Sequence, residues 1–479
     1  MNSLKKNFTY NLIYQVFTIL MPLVTAPYLA RILGATGLGM YSYTFTVAEY
    51  FLYFAMLGVA NYGNRTIAAT PNKGKSKAFI EIYSVQFLVS IFVFVLYIFF
   101  ATFLNKKYKI LTYIQSFYVL SSAFDITWYF FGNEKFRSTT IRNVAVKLSA
   151  LILIFCVVKS SDDIWKYTLI MSLSYLISQL MMWVYIPKEI HYVKPSKKLM
   201  VQHLKSMLVL FIPVIAITIY KMMDKIMLEA LGSVTEVGYY ESAEKIVRVP
   251  ALVITALGTS MLPRMSKMGS LGQEDKMKQY FGLSTEFAGL LTFGMAFGLV
   301  SVADLFIPIY YGIDFQPSIL LLQMLSINLF FTSWASAIRN QYLLPMKYDK
   351  EYIVSVFVGA FCNLILNSLL IPSLGAVGAI IATIVAEASV AIVQTIAVKN
   401  ELRITKYLIR YSIYLVPGLI MYMFLRLIKP LLGDGLISLG MMIIIGIFVY
   451  FTFALILMQA SKSKLLFVIK QQVLKRRKR

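Results

Sequence analysis

The sequence predicts an all-α polytopic membrane protein with fourteen transmembrane helices, and three observations carry that prediction. Apolar residues make up 59% of the 479 and charged residues only 14%, against roughly 45–50% and about 25% in an ordinary soluble domain. The apolar residues collect in stretches of about 20, the length that crosses ~30 Å of hydrocarbon at 1.5 Å per residue. The basic residues, 46 Lys+Arg against 22 Asp+Glu, concentrate in alternate connections between those stretches. That is the mark of positive-inside insertion. The same figures exclude a disordered chain, a disulfide scaffold and almost any soluble enzyme.

In chain order the stretches run 11–32, 40–59, 79–103, 110–131, 143–158, 167–186, 207–228, 246–265, 281–303, 318–343, 352–371, 377–398, 407–428 and 437–459. The fifth, eighth and tenth are interrupted by Lys147, Arg248 and Arg339. Connections are too short for a soluble domain; the longest, 187–206, holds five lysines with Pro187 and Pro195. The first stretch is too long for a signal peptide and lacks a small-residue cleavage site.

Placing the N-terminus inside puts 32 of the 46 Lys+Arg on the cytoplasmic side and 7 outside, counting Arg264 and Arg410 with the cytoplasmic edges they border. The other seven lie within spans: Arg31, Lys147, Lys221, Lys225, Arg248, Arg339 and Arg426. Both ends are therefore expected in the cytoplasm. Lys106, Lys107 and Lys109 go against the trend, in an outer loop. The tail Lys475-Arg476-Arg477-Lys478-Arg479 reads as a contact with anionic membrane lipid, with no nucleic-acid partner.

Chemistry is scarce. Cys156 and Cys362 lie inside spans, and His191 and His203 share one loop, so no metal spacing or structural disulfide is expected. There is no phosphate-cradling glycine motif and no nucleophile elbow. No cofactor, no metal and no enzyme activity are expected.

An internal repeat is visible. Arg31-Ile-Leu-Gly34 leads through Gly37 and Gly39 to Met40-Tyr41-Ser42; about 198 residues later Glu229-Ala-Leu-Gly232 leads through Gly238 to Tyr239-Tyr240-Glu241. Each segment closes the first span of a six-span set and opens its second, as in parallel repeats. The expected organisation is a six-helix lobe over 1–190, a second over 191–400, two additional spans within 401–460, and a basic cytoplasmic tail over 461–479.

At these residues the chain resembles a known family. Asp224-Lys225-Ile-Met-Leu, Leu231-Gly232, Glu236-Val237-Gly238-Tyr239-Tyr240 and Ala243-Glu244-Lys245 look like the signature of polysaccharide-biosynthesis flippases. Pro27-Tyr28-Leu-Ala-Arg31-Ile-Leu-Gly34 is similar to their first-helix pattern. The resemblance extends to the multidrug/oligosaccharidyl-lipid/polysaccharide exporter superfamily and its O-antigen and capsule branch. It implies translocation of an undecaprenyl-diphosphate-linked oligosaccharide repeat unit from the inner to the outer leaflet of a bacterial cytoplasmic membrane. Polymerase and glycosyltransferases of the same pathway would be partners, and a proton or Na⁺ would drive the cycle. Related readings are a peptidoglycan-precursor or teichoic-acid flippase, or a cation-coupled drug antiporter. A membrane-embedded polymerase or glycosyltransferase is the reading from another class.

Such a cargo needs cations for its diphosphate and hydrogen-bonding groups for its sugars, because hydrocarbon replaces neither. The diphosphate and sugar candidates are Arg31, Lys147, Lys221, Lys225, Arg248 and Arg339, with Asn11 and Gln15 on the first span. Glu49 and Glu387, near mid-depth, and Asp224, beside the lysines, are the coupling candidates. The bland readings are interhelical hydrogen bonds, internal ion pairs and side chains reaching for the headgroups. They are favoured for Asp125, Glu286, Asn11, Gln15, Asn363, Asn367 and Arg426. Pro22 and Pro27 in the first span and Pro213 in the seventh mark helices able to bend.

Overall fold

The computed structural model describes the backbone of residues 2–186, 190–468 and 471, and the side chains of these residues except 2–19, 136, 138, 212–214, 216–217 and 219–221. Among the described residues every regular element is helical. The chain divides into two compact units, Met1–Gly238 and Tyr239–Arg479.

The first unit contains α1 (Asn2–Met56), α2 (Val59–Ala69), α3 (Lys75–Phe99), α4 (Lys109–Ser121), α5 (Thr127–Gly132), α6 (Phe136–Val157), α7 (Ile164–Trp183) and α8 (Lys197–Leu231). The unit boundary falls early in α9 (Val234–Ser270). Then come α10 (Glu274–Tyr310), α11 (Pro317–Ile338), α12 (Asp349–Val398), α13 (Ile404–Ser412), α14 (Leu415–Leu432) and α15 (Leu436–Ala460).

Nine segments among the described residues are long and apolar enough to cross a membrane. Two of them, Leu20–Ala69 and Asp349–Val398, are 50 residues each. Drawn straight, that length is about 75 Å, more than twice the hydrocarbon thickness. Neither runs straight. The helical path breaks at Gly34 (φ 66°, ψ −179°) and at Gly375 (φ 54°, ψ −131°). Positive φ costs glycine nothing for want of a Cβ, so both breaks sit at the junction between two predicted stretches. Pro372, three residues before Gly375, removes a backbone donor there as well.

Other stretches are broken more gently. The predicted 110–131 becomes α4, a tight turn Ser122–Phe124, and α5. Asp125 explains the restart, because its Oδ1 accepts the Thr127 N–H at 2.8 Å and the Thr127 hydroxyl at 2.5 Å. This is a short polar side chain bonding the backbone two residues on, an Asx-turn. The predicted 407–428 is likewise divided between α13 and α14.

In the first unit the core centres on Trp128, with Phe79, Ile82, Val85 and Met207 around it. Gly63 lets the indole lie flat on α2, since a Cβ there would stand 2.5 Å from the ring. The buried Gln86 amide serves this core, accepting from the Trp128 Nε1–H at 2.9 Å and donating to the Ser122 and Asp125 carbonyls at 2.8 and 2.7 Å. In the second unit Phe281, Trp334, Tyr411, Tyr414 and Tyr450 anchor α10 to α11, α13, α14 and α15. Large apolar side chains also face outward in number, among them Phe92 and Phe448, 63% and 72% exposed. On a soluble surface such coverage would aggregate; here it is the face a lipid chain would meet.

Candidate functional site

Two carboxylates and three tyrosines converge inside the first unit, with Lys225 next in sequence to one of the carboxylates. Past the break at Gly34, α1 carries Glu49, Tyr50 and Tyr53; α8 carries Asp224 and Lys225; α4 carries Tyr118. Asp224 is 3% exposed and Lys225 9%. Tyr50 lies within electrostatic reach of both Glu49 and Asp224, and Tyr118 within reach of Glu49, Tyr53 and Asp125. Two of the three predicted coupling carboxylates therefore share one tyrosine neighbour. Phenol hydroxyls can donate to a carboxylate or a sugar oxygen and accept from a sugar hydroxyl. The tyrosines escaped the sequence reading because 32 of them are spread along the chain with no distinguishing motif.

A second arrangement joins the two copies of the repeat. The backbone at Gly39 approaches Val234 so closely that a Cβ on Gly39 would stand 1.8 Å from the Val234 carbonyl oxygen. Reciprocally, a Cβ on Gly238 would stand 1.9 Å from the Ala35 carbonyl oxygen. Between them the Thr36 and Thr235 hydroxyls share a hydrogen bond of 2.8 Å. Ala35, Thr36 and Gly39 correspond to Val234, Thr235 and Gly238 at a constant offset, so the contact is self-complementary, like the patch across a two-fold axis. Five residues before this patch, Glu229 accepts from Lys107 Nζ at 2.7 Å and from the Tyr108 hydroxyl at 2.9 Å. The hydrogen bond to Glu229 holds the Lys107 ammonium above its ordinary pKa. That pairing gives one of the three lysines in the outer loop a local partner.

The sequence pattern of the family described as polysaccharide biosynthesis protein matches residues 4–269, more than half of the chain. The chain belongs to this family. A "Putative O-antigen transporter" of Escherichia coli is 24% identical over 407 residues, 83% of this chain and 97% of its own. One of the same name from Shigella dysenteriae is 26% identical over 424 residues, 83% of this chain and all of its own. The lipid II flippase MurJ, in an inward closed conformation, aligns over 95% of this chain and 99% of its own with a TM-score of 0.74. At 17% identity that likeness is one of fold alone.

The remaining predicted residues of this polysaccharide-biosynthesis protein are dispersed. In the first unit Arg31 is exposed three residues before the Gly34 break, and Lys147 is half-buried on α6. The side chains of Asn11, Gln15, Lys221 and Pro213, and the tail residues 475–479, lie outside the described residues. In the second unit Arg248 pairs with Glu244 one turn back on α9 at 3.1 Å. Arg339 opens a wide turn, Arg339–Leu343, with its guanidinium 5.7 Å from the Tyr352 ring. Glu387 is buried on α12.

Several polar residues of this family member do structural work. Glu286 accepts from the Ser463 hydroxyl, with the Arg410 guanidinium 3.9 Å away, and so ties the segment after α15 to α10. Asn367 donates to Asn363 at 3.1 Å within α12. Arg426 does more than reach for headgroups, because it and Lys429 converge on Asp304 at 3.1 and 2.5 Å. Arg142, assigned by hydropathy to a cytoplasmic loop, is buried on α6 and donates to the Ser178 carbonyl at 2.8 Å. No group of three or more His, Cys, Asp or Glu is arranged to hold a metal among the described residues.

Proposed function

We propose that this chain is a flippase that carries an undecaprenyl-diphosphate-linked oligosaccharide from the inner to the outer leaflet of a bacterial cytoplasmic membrane, for surface polysaccharide synthesis. The observation that carries this is the self-complementary contact of Ala35, Thr36 and Gly39 with Val234, Thr235 and Gly238. Two copies of one motif meeting face to face are what two parallel repeats would form at a shared gate. Family membership and the relatives' names, which speak of O-antigen transport, support the cargo class. In this proposal fourteen spans form two six-helix lobes, 1–190 and 191–400, with two further spans and both ends in the cytoplasm.

The work is electrostatic and steric rather than covalent. A diphosphate cannot enter hydrocarbon without replacement for its water. Lys221 and Lys225, with Arg31, Lys147, Arg248 and Arg339, would supply the replacement charge. Asn11, Gln15 and the tyrosines beside Glu49 would meet the sugar hydroxyls. Glu49, Asp224 and Glu387 would take up and release the driving proton or Na⁺. Asp224 and Glu387 are buried and Glu49 is half-buried, which makes a change of charge consequential, because an unpaired ion there is expensive.

The test is reconstitution in liposomes with a fluorescent undecaprenyl-diphosphate oligosaccharide, following its arrival in the opposite leaflet under imposed proton and Na⁺ gradients. Gradient-dependent movement is expected. Movement of a peptidoglycan precursor in its place, or efflux of a cationic drug, would refute the cargo assignment. Lys221→Glu should weaken binding of the diphosphate lipid; unchanged binding removes Lys221 from the site.

A further inference from the structure

Three titratable side chains from three helices meet at the foot of α8, on the side the charge distribution assigns to the cytoplasm. The Tyr62 hydroxyl on α2 lies 2.6 Å from His203 Nδ1 on α8. A Glu81 carboxylate oxygen on α3 lies 3.5 Å from His203 Nε2. The other Glu81 oxygen accepts the backbone N–H of Ser196, the residue before the first turn of α8, at 3.3 Å. Glu81 is 3% exposed. Phe79, Ile82, Met200 and Leu204 belong to the apolar cluster around it. A buried carboxylate is costly unless donors or an opposite charge compensate it, and none of the groups assigned above to cargo or coupling uses this one.

Other charged groups on the same elements are turned away. Lys75 on α3 donates to Asn133 at 2.6 Å. Arg65, Lys77, Lys197, Lys198 and Lys205 are exposed. The corner between α1 and α2 presses on α8 itself: Gly58 (φ +75°) sits so close that a Cβ would lie 3.1 Å from the Met207 carbonyl oxygen. The foot of α8 is thus gripped by α2 and α3 through this triad and this close packing.

We propose that Tyr62, His203 and Glu81 form a proton-binding site that sets the grip on α8 according to cytoplasmic pH. With the ring neutral, Nδ1 accepts the Tyr62 O–H, Nε2–H points at Glu81, and the trio carries one negative charge. Uptake of one proton at Nδ1 makes the ring an imidazolium. It then donates to the phenol oxygen on one side and to the carboxylate on the other, and the trio becomes neutral. Imidazole is the side chain whose unperturbed charge change lies between pH 5 and 8. Acidification replaces a hydrogen bond from a neutral ring to the Glu81 carboxylate with an ion pair and tightens the grip. Asp224 and Lys225 ride on the same helix about 32 Å further along, so a tighter foot holds the candidate cargo and coupling groups in the present arrangement.

The transport arm of the test rests on the flippase activity proposed above; the structural arm does not. In oriented proteoliposomes, wild-type flipping should fall about fivefold as the cytoplasmic-side pH goes from 8 to 6, a typical coupling magnitude. His203→Gln and Glu81→Gln should flatten that profile, and Tyr62→Phe, which keeps the charge pair, should retain most of it. A wild-type rate independent of pH, or the same profile in His203→Gln and Glu81→Gln, would overturn the proposal. In the structural arm, amide exchange over 197–207, corrected for intrinsic rate, should be slower at pH 6 than at pH 8 in the wild type. Equal protection at the two values would overturn it even if no lipid moves. If lipid flipping is absent while protection still follows pH, the flippase assignment fails and the proton site stands.

Discussion

Gly39→Ala is the substitution from which the repeat contact predicts most. Neither Gly39 nor Gly238 has a positive φ, and both lie inside helices, so alanine suits the local backbone and raises helix propensity by up to about 1 kcal/mol. That gain applies equally whether or not the contact is made. The clash applies only when it is made. The added Cβ would fall 1.8 Å from the Val234 carbonyl oxygen and 2.9 Å from its carbon. Both are backbone atoms, with no flexible end to swing aside, so the two segments must part by more than an ångström. Overpacking typically costs about 1–3 kcal/mol, and backbone against backbone belongs at the upper end, about 3 kcal/mol. At 1.4 kcal/mol per decade the closed contact loses about a hundredfold in population relative to an open one. The assay is disulfide formation between Thr36→Cys and Thr235→Cys, whose native hydroxyls are 2.8 Å apart. Crosslinking should be rapid in the glycine background, should arrest flipping reversibly, and should slow sharply with Gly39→Ala or Gly238→Ala. If the alanine variants crosslink as fast as the parent, the contact is not a close-packed gate. Flipping that proceeds at full rate through the locked disulfide would also refute it.

Three further outcomes are expected. Glu229→Gln should loosen the outer pairing with Lys107 by less than about 1 kcal/mol, because the lysine is 66% exposed and screened by solvent. Since pairing raises the lysine's pKa, its contribution is complete at neutral pH and disappears only as pH rises past the ordinary lysine range. A melting series at pH 7 to 11 and at two salt concentrations checks this. Asp163 is held below the usual carboxylate range, first by Lys166 and then by the Lys159 and Ser160 N–H groups. Its stabilisation should therefore be present at neutral pH and be lost as pH falls below the ordinary carboxylate pKa; thermal melts of Asp163→Asn should show a smaller loss on acidification than those of the parent. Gln86→Leu strips three buried partners, the Trp128 indole N–H and the Ser122 and Asp125 carbonyls. It should destabilise the first unit by about 3 kcal/mol or more, measurable by denaturation in detergent; a loss under 1 kcal/mol would show that water replaces the amide.

How much was legible in advance varied with the kind of interaction. Gly34 and Gly375 were already at the seams of the hydrophobic pattern, and the structure breaks its two 50-residue apolar segments there. Asp125 was expected to be structural, and its carboxylate accepts the Thr127 N–H at the start of α5. The Arg31-to-Gly39 and Glu229-to-Gly238 similarity was visible as a repeat, but not as a contact: nothing in one copy says that it touches the other. Glu81 and His203 were passed over because they are 122 positions apart and each alone reads as an ordinary loop-proximal polar residue. Arg426 was expected to face the headgroups, yet Asp304, 122 residues earlier, gives it a carboxylate.

Hydrophobic length and the count of basic residues are sums along the chain. They accordingly determined, without any coordinates, that this is a helical membrane protein and where its main breaks fall, while the motifs at Pro27–Gly34 and Asp224–Lys245 carried the family resemblance. Close approach and electrostatic partnership depend on distances across the fold, which no sum along the chain contains. Only the tertiary structure could bring Gly39 against Val234, set Tyr50 within reach of both Glu49 and Asp224, and seat His203 between a phenol and a buried carboxylate.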